Sequence, residues 1–443
     1  MLLVRFFLII LHPDNEKYMN KKIIIAAISL MGAVNVNAQS GTNSPYSQYG
    51  LGILTDQSQG TSRGMNGVGL AYRSGNVANS LNPASYSAVD SLTMIFDVGL
   101  SGQITNFKEG NGRCNANNAD FEYAVGTFRL LPKVGASFGI LPYSNVGYEY
   151  SSTATLDETF GSVPVTMSGS GGLHQAFVGV GWNVVKPLSL GVNVAYLWGV
   201  FNRSISSSST TYVEGFSKTY SAQVNSYLLT LGAQWEQRLS AKDYMTIGMT
   251  VGVGHKLNSS YTINNGDSMV YDASNVLHVP MTYGVGFGWT HGGKWFVGAD
   301  AILQKWGDVD FPGTYQSGTS TVYALRSGLL KDQYKVNVGA DYVPSPMSRS
   351  LLGRIHYRFG AGYATPYYYI NGKDGPKEYS VSAGFGIPLQ RIYWNTRGNM
   401  RPVLNISAQW AHKSAKDLIT ENTFRINLGL TFNERWFAKW KVD

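Results

Sequence analysis

The 443-residue chain has a single cysteine, Cys114, and only 14% of its residues are charged. One cysteine excludes an internal disulfide and every metal site that is built from several cysteines. No run of 18 or more apolar residues follows the N-terminal region, so the sequence predicts no helical membrane span, although 44% of the residues are hydrophobic. Any contact with a membrane interior must therefore be made by β-strands.

Recognisable motifs for catalysis are also missing. No histidine forms a local motif with a serine, and no metal-ligand spacing, phosphate loop or nucleotide fingerprint is found. We therefore predict that the chain is not an enzyme and needs no metal and no cofactor. The enzymatic alternative is an embedded hydrolase whose serine and histidine come from distant strands. The formal charge of +8 is dispersed along the chain and fits lipid head groups better than nucleic acid.

The residues after Met19 have the features of a secretory signal peptide. Two lysines precede the apolar stretch 23–34, and a site with small residues ends at Ala38. We expect Met19 to be the true start and residues 1–38 to comprise an upstream extension and a cleaved signal peptide. The mature protein is then expected in the cell outer membrane of a Gram-negative bacterium.

From Ser91 onward, apolar residues alternate with small polar ones, which is typical of a strand with two unlike faces. In the clearest segment Leu428 and Leu430 share the apolar face, and Asn427 lies on the other. The segments match the roughly 9 to 11 residues that a tilted strand needs to cross a membrane. We predict fourteen strands near 91–105, 121–131, 133–151, 172–184, 187–203, 221–237, 243–255, 278–290, 294–305, 333–343, 351–364, 377–388, 402–412 and 422–434.

These strands predict an all-β fold: a transmembrane antiparallel β-barrel over residues 91–434, followed by a periplasmic tail, 435–443. Short turns alternate with long polar connections, and an even strand number returns both termini to the periplasm. The segment 121–131 is the least regular, and its alternative is a short helix. Tryptophans near strand ends predict two aromatic girdles. They are Trp182, Trp235, Trp289 and Trp295 beside short turns, and Trp198, Trp306 and Trp410 beside long connections.

Between the signal peptide and the barrel, residues 39–90 are rich in Gly, Ser and Asn and show no sustained period. A segment of this length could plug the barrel, and the alternative is a flexible periplasmic tail. It contains the stretch Arg63-Gly-Met-Asn-Gly-Val-Gly-Leu-Ala71 and then Asn79-Ser-Leu-Asn-Pro-Ala-Ser85, which leads into the first strand.

With these motifs the chain resembles the FadL-like outer-membrane transporters of long-chain fatty acids and other hydrophobic compounds. Members of that family carry a Gly-rich stretch followed by Asn-Pro-Ala in an N-terminal hatch that plugs a fourteen-stranded barrel. Asn82, Pro83 and Ala84 match this element residue by residue. The opening segment 44–52 departs from the fatty-acid transporters.

The resemblance implies that membrane lipid and a fatty-acid-like, hydrophobic small molecule are the partners of the barrel. It implies passive, hatch-gated diffusion through a largely apolar pocket above the hatch, with lateral release into the lipid. In the family a kink in the third strand opens the lateral window. Gly139 and Pro142 are the candidates for such an opening here, because proline lacks the backbone donor that a β-ladder needs. The alternative for Pro142 is a turn at the rim.

Arg354, His356 and Arg358 share the predicted inner face of the strand 351–364. They are candidate lumen contacts for an anionic head group, or partners in salt bridges with the hatch, Asp300 or Asp341. Two other functions stay open: a general porin, and a non-transporting barrel scaffold or shuttle that serves a secretion or assembly system through a protein partner not yet identified.

Overall fold

The computed structural model describes residues 41–91, 93–157, 161–208, 215–317, 320–389 and 402–435. They form a closed antiparallel barrel of fourteen strands, numbered here in chain order. The strands are β1 Thr93–Glu109, β2 Gly112–Leu131, β3 Val134–Asp157, β4 Gly161–Val185, β5 Leu188–Ser207, β6 Phe216–Arg238, β7 Asp243–Gly252, β8 Thr282–His291, β9 Trp295–Gln304, β10 Gln333–Tyr342, β11 His356–Ala364, β12 Lys377–Pro388, β13 Val403–Ser414 and β14 Thr420–Arg435.

The first and last strands close the sheet. β1 pairs with β14 from Thr93 opposite Arg435 to Lys108 opposite Thr420. The predicted fold class, an antiparallel barrel of about fourteen strands, is confirmed. The predicted signal peptide and residues 436–443 of the predicted tail lie outside the described residues. Within the described ranges, no helix combines the length and the apolar character that crossing a membrane would require.

Most strand boundaries differ from prediction at the ends away from the short turns. β2 is a single strand of 20 residues, so the alternative of a short helix over 121–131 is wrong. Residues 106–120, which lie outside the predicted strands, continue the β1–β2 ladder to a tight turn at Gly110, whose positive φ of 54° suits glycine. The segment 351–364 begins with a short helix, Leu351–Arg354, and becomes a strand only at His356.

The wall of the barrel is uneven in height. β1 to β6 have 17 to 25 residues, whereas β7 to β11 have only 9 or 10. Since roughly ten residues suffice to cross the membrane, β3 to β6 extend well beyond it. A hairpin of Ser259–Asn265 and Ser268–Ser274 pairs with the upper part of β6 and continues this tall side.

Along the strands, apolar side chains face outward and small or polar side chains face inward, as the alternating sequence pattern predicts. Leu428 exposes 48% of its surface on the outside, whereas Asn427 exposes 5%. Tyr227 and Trp235 mark the two ends of the apolar belt on β6, about 26 Å apart along the strand at roughly 3.3 Å per residue. Exposed aromatic residues lie near both edges of the apolar belt. Those at the edge beside the short turns are Trp182, Trp235, Tyr244 and Trp295, and those at the other edge are Tyr196, Tyr227, Tyr283, Tyr334, Tyr379 and Trp410.

Trp306 does not belong to either girdle. Its side chain is completely buried and lies 4.7 Å from the ring of Tyr367, measured between ring centroids. The tryptophan lies in a short 3₁₀ turn, Trp306–Asp308, within the long connection after β9. That connection folds back over the interior, so a residue near a strand end became a core residue.

Residues 41–90, called the N-terminal segment below, contact side chains on the inner face of the barrel. The segment contains two 3₁₀ turns, a two-residue strand and one short helix, joined by loops. These elements are Pro45–Gln48, Ile53–Leu54, Gly60–Arg63 and Pro83–Ala88. Most of its side chains are buried although it has little regular structure, because the barrel wall supplies the surrounding surface.

We predict that Leu428→Arg destabilises the barrel by about 2–4 kcal/mol, because it places a charge on the lipid-facing side. The matched change Thr423→Arg puts the same residue on the inner side of β14, where Arg425 already lies beside a polar cavity, and should cost much less. Urea unfolding in lipid vesicles measures both. Equal losses at the two positions would contradict the membrane-facing assignment.

Candidate functional site

A row of four glycines leaves room on the inner wall for one turn of the N-terminal segment. The row comprises Gly135, Gly181, Gly191 and Gly232, which pair in succession across β3 to β6. A Cβ atom at any of them would overlap atoms of Asn82, Pro83 or Tyr86. Glycine therefore allows the turn to lie directly on the backbone of the sheet.

A second row of four glycines seats the Gly-rich stretch. It comprises Gly288, Gly298, Gly339 and Gly360, which pair in succession across β8 to β11. A Cβ atom at Gly339 or Gly360 would overlap the main chain of Met65, and one at Gly298 would crowd Val68. The glycines themselves are recognisable in the sequence, because they occupy inward positions in strands with an alternating pattern. The sequence does not show which turn of the N-terminal segment packs on each row.

Asn82 organises its turn through both ends of its amide. Its Oδ1 accepts a hydrogen bond from the backbone N–H of Ala84 at 3.1 Å, which caps the 3₁₀ turn that begins at Pro83. Its Nδ2 donates to the carbonyl of Leu70 at 2.9 Å and to that of Ala233 on β6 at 3.1 Å. The residue is fully buried and joins the turn to the Gly-rich stretch and to the wall.

Arg63 provides a buried ionic connection between the N-terminal segment and the barrel. Its guanidinium donates to the Glu122 carboxylate on β2 at 2.9 Å and to Oδ1 of Asn427 on β14 at 3.1 Å. The remaining donors go to the backbone carbonyls of Ser58 and Asp56. Because both charges are removed from water, each depends on the other for stabilisation.

Asp300 binds the Gly-rich stretch from the opposite side of the barrel. Its carboxylate accepts hydrogen bonds from the backbone N–H groups of Gly69 at 2.7 Å and Leu70 at 2.9 Å. Asn66, one turn earlier, donates to Ser380 at 2.9 Å and accepts from Gln409 at 3.0 Å. The lower part of the N-terminal segment is thus attached to widely separated strands.

The candidate lumen residues Arg354, His356 and Arg358 do not form one row. Arg354 lies on the short helix that precedes β11 and is buried. His356 and Arg358 both contact Asp341, with the His356 Nδ1 at 3.0 Å and the Arg358 Nε at 3.3 Å from its carboxylate. Arg358 also donates to Asn405 at 2.6 Å. Arg358 therefore forms a salt bridge within the wall, one of the two roles considered for these residues, and His356 contacts the same carboxylate.

The upper part of the N-terminal segment, residues 41–57, packs against the external half of the barrel. The Ser44 hydroxyl donates to Glu421 at 2.5 Å, and Arg203 donates to the carbonyl of Gly50 at 2.6 Å. Around it lies a filled apolar core that the external connections complete. Its fully or nearly buried members include Tyr46, Leu51, Val146, Leu173, Leu197, Phe201, Leu257, Ile263, Trp306, Tyr367 and Tyr368.

The β2–β3 ladder is interrupted partway up the wall. These strands pair from Leu131 opposite Val134 to Ala124 opposite Ile140, and no further pairing between them is found in the described residues. On the β1 side, Phe121 and Asn117 pair with Leu100 and Ile104, whose side chains are exposed on the outer surface. The interruption, called the β2–β3 gap below, therefore passes through the apolar belt.

Both strands that border the gap carry a bulge where it begins. Glu122 is the extra residue in β2, and Tyr143 is the extra residue in β3. Bulges bend a strand away from its partner, and Pro142 has no N–H to extend the ladder. Pro142 thus lies at the gap, whereas Gly139 lies within the paired region, opposite Val125.

The N-terminal segment takes the place of the missing strand pairing. Ile53 and Leu54 pair with Asn145 and Ser144 of β3. The N–H of Thr55 donates to the carbonyl of Tyr143 at 3.1 Å, and its hydroxyl donates to that of Pro142 at 2.6 Å. Gln57 donates to the same Pro142 carbonyl at 2.9 Å. The backbone of β3 at this point is therefore paired with the N-terminal segment and not with β2.

A cavity of 290 Å³ lies directly inside the gap. The segment 53–57 and other residues of the N-terminal segment form one side, together with the connection 365–368. Inward residues of β1, β2 and β9 to β14, with Asn145 of β3, form most of the rest. Its charged lining residues are Asp56, Asp120, Glu122, Lys335, Glu378, Lys413, Glu421 and Arg425. Apolar side chains such as Ile53, Leu54 and Ile302 also line it, so the cavity is mixed in polarity, and the largely apolar pocket expected above the hatch stays a prediction.

Comparison with known proteins agrees with the barrel fold. A family model described as BamG matches residues 19–443. No curated protein sequence matches the chain. Among solved structures, the toluene transporter TodX of P. putida is 16% identical, with a TM-score of 0.59 and coverage of 88% of this chain and 99% of its own. The toluene transporter TbuX of Ralstonia pickettii is 16% identical, with a TM-score of 0.58 and coverage of 85% and 98%.

A FadL homologue from Pseudomonas aeruginosa is 13% identical, with a TM-score of 0.55 and coverage of 86% of this chain and 99% of its own. At such identities the likeness concerns the fold alone. The predicted resemblance to the FadL-like barrel is confirmed at that level.

We predict that Gly191→Val displaces the Asn82–Pro83 turn, since the new side chain would overlap the main chain of Pro83. Overpacking of this kind costs about 1–3 kcal/mol, and the N-terminal segment should become sensitive to protease. Gly102→Val is the matched control, because a Cβ atom at Gly102 meets no atom within 4 Å. Equal protease resistance in the two variants would contradict the seating role of the glycine row.

We further predict that Arg63→Met destabilises the protein by about 3–5 kcal/mol, because it leaves the Glu122 carboxylate buried without its cation. The double variant Arg63→Met with Glu122→Gln should recover a large part of that loss. Unfolding of the two single variants and the double variant gives the coupling energy. A coupling near zero would show that the pair does not hold the segment to the wall.

Proposed function

The chain belongs to the BamG family, and we propose that it resides in the outer membrane and passes hydrophobic small molecules through the β2–β3 gap into the lipid. The observation that carries the proposal is the interruption of the ladder beyond Ala124 and Ile140, where the segment 53–57 is bound in place of a strand. TodX and TbuX, which share the fold, are toluene transporters, and this supports the same class of substrate.

In this proposal the N-terminal segment is a hatch with two unequal parts. Its lower part, held by Arg63, Asn82 and Asp300 and seated on the glycine rows, stays in place. Only residues near 53–57 leave β3, breaking a few hydrogen bonds that contribute about 0.5–1.5 kcal/mol each. Passive, hatch-gated diffusion therefore does not require the whole plug to leave the barrel.

Lateral release suits an apolar substrate for an energetic reason. Exposure of an acyl chain to water costs about 0.8 kcal/mol for each CH₂ group, so a route through the aqueous periplasm would be unfavourable. The gap borders the outward side chains of the apolar belt, such as Ile140, which exposes 41% of its surface. A molecule leaving there enters lipid without crossing water.

A second candidate function is a barrel scaffold that serves a protein partner. The observation that favours it is the filled apolar core around Tyr46 and Leu51, which leaves little room for a hydrophobic ligand above the N-terminal segment. In that case the segment 53–57 stays bound and the gap never opens. The two functions differ in whether the contact between the segment and β3 must break.

We predict that a disulfide between Ile53→Cys and Asn145→Cys, introduced with Cys114→Ser, reduces the rate of uptake of radiolabelled toluene at least tenfold. These two positions are paired across the sheet, at a Cα separation of about 4.5–5.5 Å that a disulfide can span. Binding of toluene to the purified barrel should persist, and reduction should restore uptake by cells.

The matched control is a disulfide between Ser151→Cys and Thr166→Cys, which joins β3 to β4 without touching the N-terminal segment. This clamp should leave uptake unchanged. Full uptake through the oxidised Ile53–Asn145 clamp would exclude the proposed path and favour the scaffold.

A further inference from the structure

The polar cavity and the β2–β3 gap are adjacent, and this juxtaposition carries information about the substrate. Asp120 on β2 and Asn145 on β3 both line the cavity, and the Asn145 amide donates to the Asp120 carboxylate at 3.0 Å across the gap. The segment 53–57, which occupies the gap, forms the adjoining wall of the same cavity. Opening of the gap therefore joins a charged compartment to the lipid.

Two cations in the cavity lack a carboxylate partner. Arg425 directs its Nε and one terminal nitrogen to the neutral amide oxygen of Gln103, at 2.9 and 2.7 Å. Lys335 likewise forms no ion pair with another residue in the described ranges. By contrast, Lys413 pairs with Glu378 at 3.3 Å. A negative group that enters the cavity would meet these two cations without first displacing a carboxylate from direct contact with either.

The cavity also has carboxyl groups with no cation in direct contact. Asp120 is bonded to the neutral amide of Asn145, and Glu421 accepts from the hydroxyl of Ser44 at 2.5 Å. Burial opposes ionisation of Asp56, yet the positive charges of Lys335 and Arg63 lower the pKa of its carboxyl to about 2. Asp56 is therefore ionised at physiological pH, and the cavity presents charges of both signs.

A plain hydrocarbon does not complement this lining, because it would displace water from charged groups without replacing the lost hydrogen bonds. A head group that carries one positive and one negative charge does complement it, through charge-assisted hydrogen bonds. The volume of 290 Å³ accommodates such a head group, and an attached apolar chain fits the lipid beyond the gap.

We propose that the substrate is an amphiphile whose zwitterionic head group binds in the cavity beside Lys335, Arg425 and Asp120, while its apolar chain extends through the β2–β3 gap. This inference rests on the proposed function, since it needs the gap as the route to lipid. Among the hydrophobic molecules that the gap would admit, it names a preferred class: lipid-like molecules with two opposite charges.

The test uses the full-length barrel in octyl glucoside, an uncharged detergent, and four radiolabelled probes with the same twelve-carbon chain. They are dodecylphosphocholine with both charges, laurate with a negative charge, dodecyltrimethylammonium with a positive charge, and dodecane with none. Binding is measured by equilibrium dialysis against protein-free micelles. We expect dodecylphosphocholine to bind at least tenfold more tightly than each of the other three.

Substitutions in the cavity test whether its charged residues cause the preference for dodecylphosphocholine. Lys335→Met with Arg425→Gln should reduce binding of dodecylphosphocholine at least tenfold and leave that of dodecane unchanged. Asp120→Asn tests the contribution of a carboxyl group and should reduce the ratio of the affinities for dodecylphosphocholine and laurate. Lys373→Met, a change at an exposed lysine outside the cavity, is the control and should have no effect. Heat-dependent gel migration verifies that each variant is folded.

The possible failures are distinguishable. Equal binding of all four probes, or tightest binding of laurate, would overturn the zwitterionic head group while leaving the transport path intact. An unchanged preference in the folded Lys335→Met, Arg425→Gln variant would overturn the assignment of the cavity. Absence of binding for every probe, dodecane included, would contradict the proposed function itself.

Discussion

A strand that lies in a membrane must give each backbone N–H and C=O group a partner, because lipid offers none. Closure of β1 against β14 meets this requirement around most of the wall. It fails where β2 and β3 separate beyond Ala124 and Ile140. The N-terminal segment supplies partners for β3 there, through the pairing of Ile53 and Leu54 and the bonds to Pro142. The hydrogen bonding of the wall at this point thus depends on a segment that does not belong to the barrel.

The same segment is held with very different strength along its length. Its lower part rests on sheet backbone at the two glycine rows and carries the buried Arg63–Glu122 pair. Near the gap, by contrast, a two-residue strand and a few hydrogen bonds make the contact with β3. A part with few contacts opens at lower free energy than a packed core. The two parts of the segment thus differ in how extensively the wall holds them.

The interior also separates two chemical environments. The external connections and the upper part of the N-terminal segment form a buried apolar core, whereas the lining of the cavity beside the gap includes eight charged residues. A molecule that uses both the cavity and the gap must satisfy polar and apolar surroundings at its two ends. The charged lining of the cavity is a feature of this chain that the shared fold does not specify, since barrels with this fold include transporters of toluene.

Local sequence determined much of the barrel. The two-residue period assigned Leu428 and Asn427 to opposite faces, and the segment lengths indicated a membrane barrel of fourteen strands, because strand geometry depends on neighbours along the chain. The Asn82–Pro83 turn was likewise readable, since a side-chain cap and a proline act within a few residues. Strand ends beyond the membrane were not predicted, because hairpin pairing continues there without an apolar face to mark it.

Tertiary structure decided where distant residues meet. Arg63 and Glu122, Asp300 and the Gly-rich stretch, and Pro142 and Thr55 are brought together only by closure of the barrel around the N-terminal segment. The burial of Trp306 and the polarity of the cavity also follow from how long connections fold over the interior. Alternation shows which face of a strand a residue occupies. It does not show what lies opposite that face, because those contacts join residues far apart in the chain.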